Sequence, residues 1–230
     1  MVAVLYSSVG HGGGSGYLAV MAFLSVAPNI TKPTALALNI FVAGIATVQF
    51  YRRGHFSWKI FLPFAASSIP FAFVGGMIEL PIVLYKLVLG VSLILAACRL
   101  AWNFPKNDEI RQLKWLPAIL VGAIIGLTSG LIGIGGGVFL TPILLLARWT
   151  DAKTAAAVSA LFILVNSVSA LIGNYQNALQ LPAKVSVWII AAVIGGIIGS
   201  TLGSKYFNSL TLRRVLALVL LIAGVKLMLV

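Results

Sequence analysis

Long apolar runs separated by short charged punctuation set the pattern of this chain. Residues 1–31 carry no Lys, Arg, Asp or Glu, but five glycines interrupt them between Gly10 and Gly16. Residues 33–51 are apolar and stop at Arg52 and Arg53, and residues 59–78 stop at Glu79. Residues 82–102 are apolar apart from Lys86 and Arg99 near their ends, and residues 103–115 form the longest polar stretch. Residues 116–147 are uncharged and glycine-rich, and the runs 154–173, 185–204 and 213–230 complete the set. Six of these runs come close to the ~20 residues that a helix needs to cross a bilayer.

The two glycine-rich runs differ from the rest. Together, 10–16 and 122–137 hold twelve of the 23 glycines. The run 116–147 is long for one helix and short for two full crossings, so a glycine cluster at its middle predicts two half-length helices meeting at a tight break. Irregular backbone at membrane depth is tolerated only where protein buries it or where it lines a cavity.

Composition sharpens this picture. Of 230 residues, 60% are hydrophobic and 9% are charged, against about 25% charged in an ordinary soluble domain. Mean hydropathy is +1.08. This excludes a soluble globule, a disordered chain and a disulfide scaffold. Sixteen Lys and Arg against four acids give a net charge of +12. In this setting the excess reads as loops obeying the positive-inside rule rather than as a nucleic-acid surface. The single cysteine, Cys98, allows no internal disulfide and no metal spacing. No basic region precedes the first apolar run, so the N-terminus does not read as a cleaved signal peptide.

The chain is internally duplicated. Gly10-His11-Gly12-Gly13-Gly14 matches Gly133-Ile134-Gly135-Gly136-Gly137 at an offset of 123. Thr34-Ala35 matches Thr154-Ala155, Tyr51 matches Tyr175, Gly75 matches Gly199, and Lys86 and Arg99 match Arg213 and Lys226. A duplication of this kind is a transporter signature. If each glycine-rich run is a hairpin returning to its starting side, each half crosses three times and the halves are inverted. Twelve basic residues then lie inside and four outside, namely Lys32, Lys86, Lys184 and Lys226; a parallel arrangement splits them nine to seven at best. The positive-inside rule favours inversion, with both termini outside and the 103–115 linker cytoplasmic. The expected fold is therefore an all-α polytopic membrane protein. Residues 1–102 form the first repeat, 103–115 a cytoplasmic linker and 116–230 the second repeat.

Candidate chemistry concentrates at the breaks. Glycine lets backbone approach a ligand and adopt positive φ. A half-helix starting after the break points its free N–H groups and positive dipole end inward. Two such ends converging near the midplane make an anion site with little formal charge. The expected binding set is His11, Gly12, Gly13, Gly14, Ser15, Asn39, Ser129, Gly135, Gly136, Gly137 and Asn166. Ser159 and Ser167 are further polar residues within crossing helices, where an interhelical hydrogen bond is the plainer role. Gly122, Gly126 and Gly130, four apart, read as a helix-packing stripe. No carboxylate falls mid-membrane, which argues against a proton pump or an acid-based cation carrier. Gly13-Gly14-Ser15-Gly16 also fits the G-x-S-G pattern of intramembrane serine proteases. That chemistry needs a histidine base from another helix, and the only histidines are His11 and His55.

The stretch Gly-Leu-Thr-Ser-Gly-Leu-Ile-Gly-Ile-Gly-Gly-Gly-Val-Phe-Leu-Thr-Pro, from Gly126 to Pro142, resembles the signature of the TauE/SafE sulfite-exporter family. Ser-Val-Gly-His-Gly-Gly-Gly-Ser-Gly-Tyr-Leu-Ala, from Ser8 to Ala19, resembles its first-repeat counterpart. The resemblance covers essentially the whole chain. It implies secondary transport of sulfite or related sulfur-containing or small organic anions across the inner membrane, with no cofactor and with membrane lipid as the surroundings. The first repeat departs from the second in having His11 and Ser15, and in lacking a counterpart of Pro142. Its approach to the break is also shorter. A passive anion channel is the alternative reading, and an intramembrane hydrolase the more remote one.

Overall fold

The computed structural model describes residues 13–101, 110–182, 184–203 and 209–229. His11 and Gly12 lie outside them. The described residues form helices and turns, with no strand among them. In chain order the helices are α1 (Gly14–Phe23), α2 (Pro28–Arg52), α3 (Trp58–Met77), α4 (Ile82–Ala101), α5 (Trp115–Ile132), α6 (Gly137–Leu146), α7 (Ala152–Gly173), α8 (Tyr175–Leu179), α9 (Lys184–Gly203) and α10 (Ser209–Leu229). Among the described residues four helices, α2, α3, α5 and α7, are long and apolar enough to cross a membrane.

Local chemistry explains most of the boundaries. Pro28 opens α2 at a position whose N–H a helix leaves unbonded anyway. Asp151 caps α7 by accepting from the backbone N–H of Lys153 at 2.8 Å and of Thr154 at 3.1 Å. Gly133 ends α5 at φ 83°, a left-handed conformation that glycine adopts without steric cost.

One expectation about the second hairpin needs correction. The arms of the second hairpin are unequal: α5 has 18 residues and α6 has 10. At 1.5 Å per residue they measure about 27 Å and about 15 Å, so only α6 is a half-length helix. Between the apolar runs 154–173 and 185–204, residues 175–179 form the short helix α8.

Close backbone approach organises the packing. α3 lies between α5 and α7. A Cβ on Gly122 would stand 2.6 Å from the carbonyl oxygen of Phe64, and one on Gly126 or Gly130 would strike the carbonyl of Ser68 or Ala72. The stripe is a helix-packing surface, as its four-residue spacing predicts. On a neighbouring face of α3, Gly76 meets the Ala170 carbonyl and Gly173 that of Phe73. α4 pairs with α10, where a Cβ on Gly90 would stand 2.9 Å from the Gly224 carbonyl oxygen, and one on Gly224 2.8 Å from that of Gly90. α2 packs against α7 and α9. Leu93, Ala96 and Ala97 in α4 are buried, and 127 residues later so are Leu220, Ala223 and Gly224 in α10. Large apolar side chains such as Leu62, Phe71, Phe73, Leu120 and Ile124 stay exposed, as on a surface solvated by lipid.

Two hydrogen bonds mark the two ends of the molecule. The Arg111 N–H donates to the Arg148 carbonyl at 2.7 Å, so the α5–α6 hairpin returns to the side on which it starts. At the other end, Lys226 Nζ donates to the carbonyl of Phe23 at 2.9 Å, closing the end of α1. Lys86 and Lys226 line one cavity there. Lys32 belongs to the same end, but it is not the loop charge the sequence suggests: it is buried within α2 at 6% exposure.

Candidate functional site

The two glycine breaks meet at one side chain. Gly13 precedes α1 at φ 82° and Gly136 precedes α6 at φ 77°. They stand at equivalent places in the two halves, 123 residues apart. Helices usually start from an extended residue whose side chain caps the first turn. Here neither start has a side-chain cap. Left-handed φ at both sites makes glycine the natural residue there.

Gly14, the first residue of α1, packs directly on the carbonyl oxygen of Ile134 in the loop before α6. The Asn39 amide closes the same junction. A Cβ on Gly14 would stand 2.7 Å from Asn39 Nδ2 and 2.9 Å from Oδ1, and a Cβ on Gly135 would stand 2.9 Å from Asn39 Nδ2. Gly135 also faces Ser167, whose Oγ would lie 3.2 Å from such a Cβ. Asn39 is the twelfth residue of the 25-residue α2, which puts the junction near the middle of that helix.

The polarity of this junction is unspent. Asn39 is fully buried and neither its Nδ2 nor its Oδ1 has a hydrogen-bond partner among the described residues. The same holds for Ser167 Oγ, Ser129 Oγ and Asn166 Oδ1. Asn166 Nδ2 donates to the Phe162 carbonyl at 2.8 Å. Leaving a buried donor or acceptor unpaired costs about 1–3 kcal/mol, so the Asn39 and Ser167 groups, which both face Gly135, mark a place built for something other than packing.

The expected binding residues therefore divide. Gly13, Gly14, Asn39 and Gly135 come together, with the Tyr17 ring folded back over Gly13. Gly136 faces the apolar side chains of Ile125 and Phe162, and Gly137 faces Ile163 and the Ser159 carbonyl. Ser15 and Ser129 are fully buried on α1 and α5. Ser167 joins the junction although the sequence reading left it out of the set; its place next to Asn166 was the available signal. Ser159 is taken up by Thr141, whose Oγ1 donates to its Oγ at 2.8 Å.

Among the described residues the hydrolase reading finds no histidine near the junction. His55 follows the end of α2, and the stretch from Asn39 to Arg52 puts about 20 Å of helix between it and the junction. His11 is outside the described residues. Among the described residues no group of three or more His, Cys, Asp or Glu side chains could hold a metal ion.

Comparison with known proteins agrees along the whole chain. The family model described as Sulfite exporter TauE/SafE matches residues 1–227. A probable membrane transporter protein, y4hK, of Sinorhizobium fredii is 40% identical, over 99% of this chain and 94% of its own length. The probable membrane transporter protein MJ0441 of Methanocaldococcus jannaschii is 30% identical, over 77% of this chain and 70% of its own. The sulfite exporter TauE/SafE family protein 6 of Arabidopsis thaliana is 35% identical over 33% of this chain and 19% of its own. No solved structure matches.

Proposed function

The chain belongs to the sulfite exporter TauE/SafE family of membrane transporters, and on that premise we propose that it is a secondary transporter of small anions, sulfite or a related sulfur-containing or organic anion. One observation carries the proposal: the doubly unpartnered Asn39 amide, set where the start of α1 meets the break before α6. An oxyanion drawn into that junction would accept from Asn39 Nδ2, from the Ser167 hydroxyl and from first-turn N–H groups of the half-helices. An oxyanion carrying a proton would also donate to Asn39 Oδ1. Ser15, Ser129 and Asn166 would stand around it, and His11 and Gly12 would extend the first break. The junction is closed by direct contact of Gly14 with Ile134, so loading requires the two halves to separate there.

The same reading takes 1–102 and 116–230 as inverted repeats joined by the cytoplasmic linker 103–115. Both termini face outward in the plasma membrane, the inner membrane of a cell that has two. The return of the α5–α6 hairpin to its own side and the recurrence of buried positions between α4 and α10 support it. Its test is counterflow of labelled sulfite into proteoliposomes. A carrier gives saturable uptake that internal unlabelled sulfite accelerates. Uptake rising linearly with concentration makes the protein a channel, and no uptake of any small oxyanion removes the proposal.

A further inference from the structure

Lys32 and Asn174 lie on α2 and just past the end of α7, away from the Asn39 junction. Lys32 Nζ donates to the carbonyls of Gly75 at 3.1 Å, Gly76 at 2.9 Å and Ile78 at 3.1 Å. These bonds engage all three donors of the ammonium and satisfy carbonyls that the end of α3 leaves open. All three partners are neutral, so the charge itself is not cancelled by them. Beside it opens a cavity of about 300 Å3 lined by Lys32, Asn174, Asn177, Glu79, Tyr85 and Leu131.

Asn174 is 5% exposed. Its Oδ1 accepts from Asn177 Nδ2 at 2.8 Å, while its own buried Nδ2 has no partner among the described residues. The cavity thus holds an unused amide donor near a buried cation. Glu79 opposes an anion there. It is exposed, and its Oε1 accepts from Asn177 Nδ2 at 2.8 Å. Its charge also acts on Lys32, but water and salt screen an exposed carboxylate while the field of Lys32 acts through low-dielectric surroundings, so Glu79 weakens the site and its removal frees the Lys32 charge. The floor of the cavity reaches the second glycine break. Tyr85 Oη donates to the Ile132 carbonyl at 3.3 Å, and a Cβ on Gly133 would stand 2.9 Å from the Lys32 carbonyl oxygen.

We propose that this cavity is a second oxyanion site, an antechamber where Asn174 Nδ2 and the charge of Lys32 hold a small monovalent oxyanion before it passes Gly133 toward Asn39. The antechamber rests on the transporter reading only for its role in a path; its binding stands separately. Asn29 is exposed and lines the cavity, so Asn29→Cys in a Cys98→Ser background reports on it. The full-length protein in detergent is labelled with a maleimide, with and without methanesulfonate, a monoanion that does not titrate near neutrality. Methanesulfonate is expected to slow labelling at Asn29→Cys several-fold and to leave Gln112→Cys, at the opposite end, unaffected. Asn174→Ala should weaken the protection and Glu79→Gln should strengthen it. Lys32→Met should weaken it too; where that variant does not fold, Asn174→Ala and Glu79→Gln still decide. No protection at Asn29→Cys, or protection indifferent to both variants, overturns the antechamber. Sulfite counterflow by the reporter variant separates the two readings: transport without protection sinks only the antechamber, and protection without transport sinks only the transporter.

Discussion

Gly14 and Ile134, one from each half of the chain, touch so closely that any side chain on Gly14 would run into the Ile134 carbonyl oxygen. The contact joins the start of α1 to the loop before α6, and Asn39 fills its edge. Gly14→Ala should therefore cut transport at least tenfold and destabilise the protein by about 1–3 kcal/mol, the usual effect of overpacking. Gly44→Ala, in the same membrane region but with open space around it, should keep transport and gain about 0.5–1 kcal/mol. Counterflow and thermal unfolding in detergent check both; equal effects would refute the special role of the junction.

Asn39→Leu separates function from packing. It removes two buried polar atoms that no described residue satisfies and keeps a similar volume. Stability should stay level or rise by up to about 1–3 kcal/mol, while sulfite counterflow disappears. A variant that transports normally would show Asn39 to be outside the substrate path.

The α3–α5 stripe should behave in the opposite way. Gly126→Ala and Gly130→Ala each force a methyl onto a carbonyl, of Ser68 and Ala72 respectively. Each should lower stability by about 1–3 kcal/mol. Whatever protein folds should keep the half-saturating sulfite concentration of the parent. A changed half-saturation with unchanged melting would place the stripe in the binding site.

Asp151 gives a pH signature. Its partial burial pushes the carboxyl up, but hydrogen bonds from the Thr154 hydroxyl and from the Thr154 and Lys153 N–H groups outweigh that and hold it below the usual range. With the folded value depressed, its contribution is complete above the unfolded value of about 3.9 and is lost as pH falls through the lower folded value. Asp151→Ala should cost about 0.5–2 kcal/mol at pH 7. Melting curves of variant and parent should draw together as pH falls through the depressed folded value, and a gap that stays constant on acidification would contradict the cap.

Sidedness tests the inverted arrangement. Gln112 and Gln180 are both exposed. Single cysteines there, in a Cys98→Ser background, should react with an impermeant thiol reagent from opposite faces of the membrane. Reaction from one face only would remove the inversion.

The sequence alone determined that the chain lives in a membrane, where its long helices run, and that two glycine breaks recur 123 residues apart. These features are local. Hydrophobic length is read directly against bilayer thickness, and left-handed backbone at Gly13 and Gly136 needs glycine whatever surrounds it. The Gly122, Gly126 and Gly130 stripe was legible for the same reason, since four-residue spacing puts small residues on one face. Tertiary structure alone decided which partners these features meet. Nothing near Lys32 in the chain foretells carbonyls of Gly75, Gly76 and Ile78, more than 40 residues away. Asn39 stands among the candidates in the sequence and Ser167 does not, and only folding brings both to Gly135. The unequal arms of the second hairpin were not legible either: the run 116–147 is apolar throughout, so hydropathy does not show that α5 has 18 residues and α6 only 10.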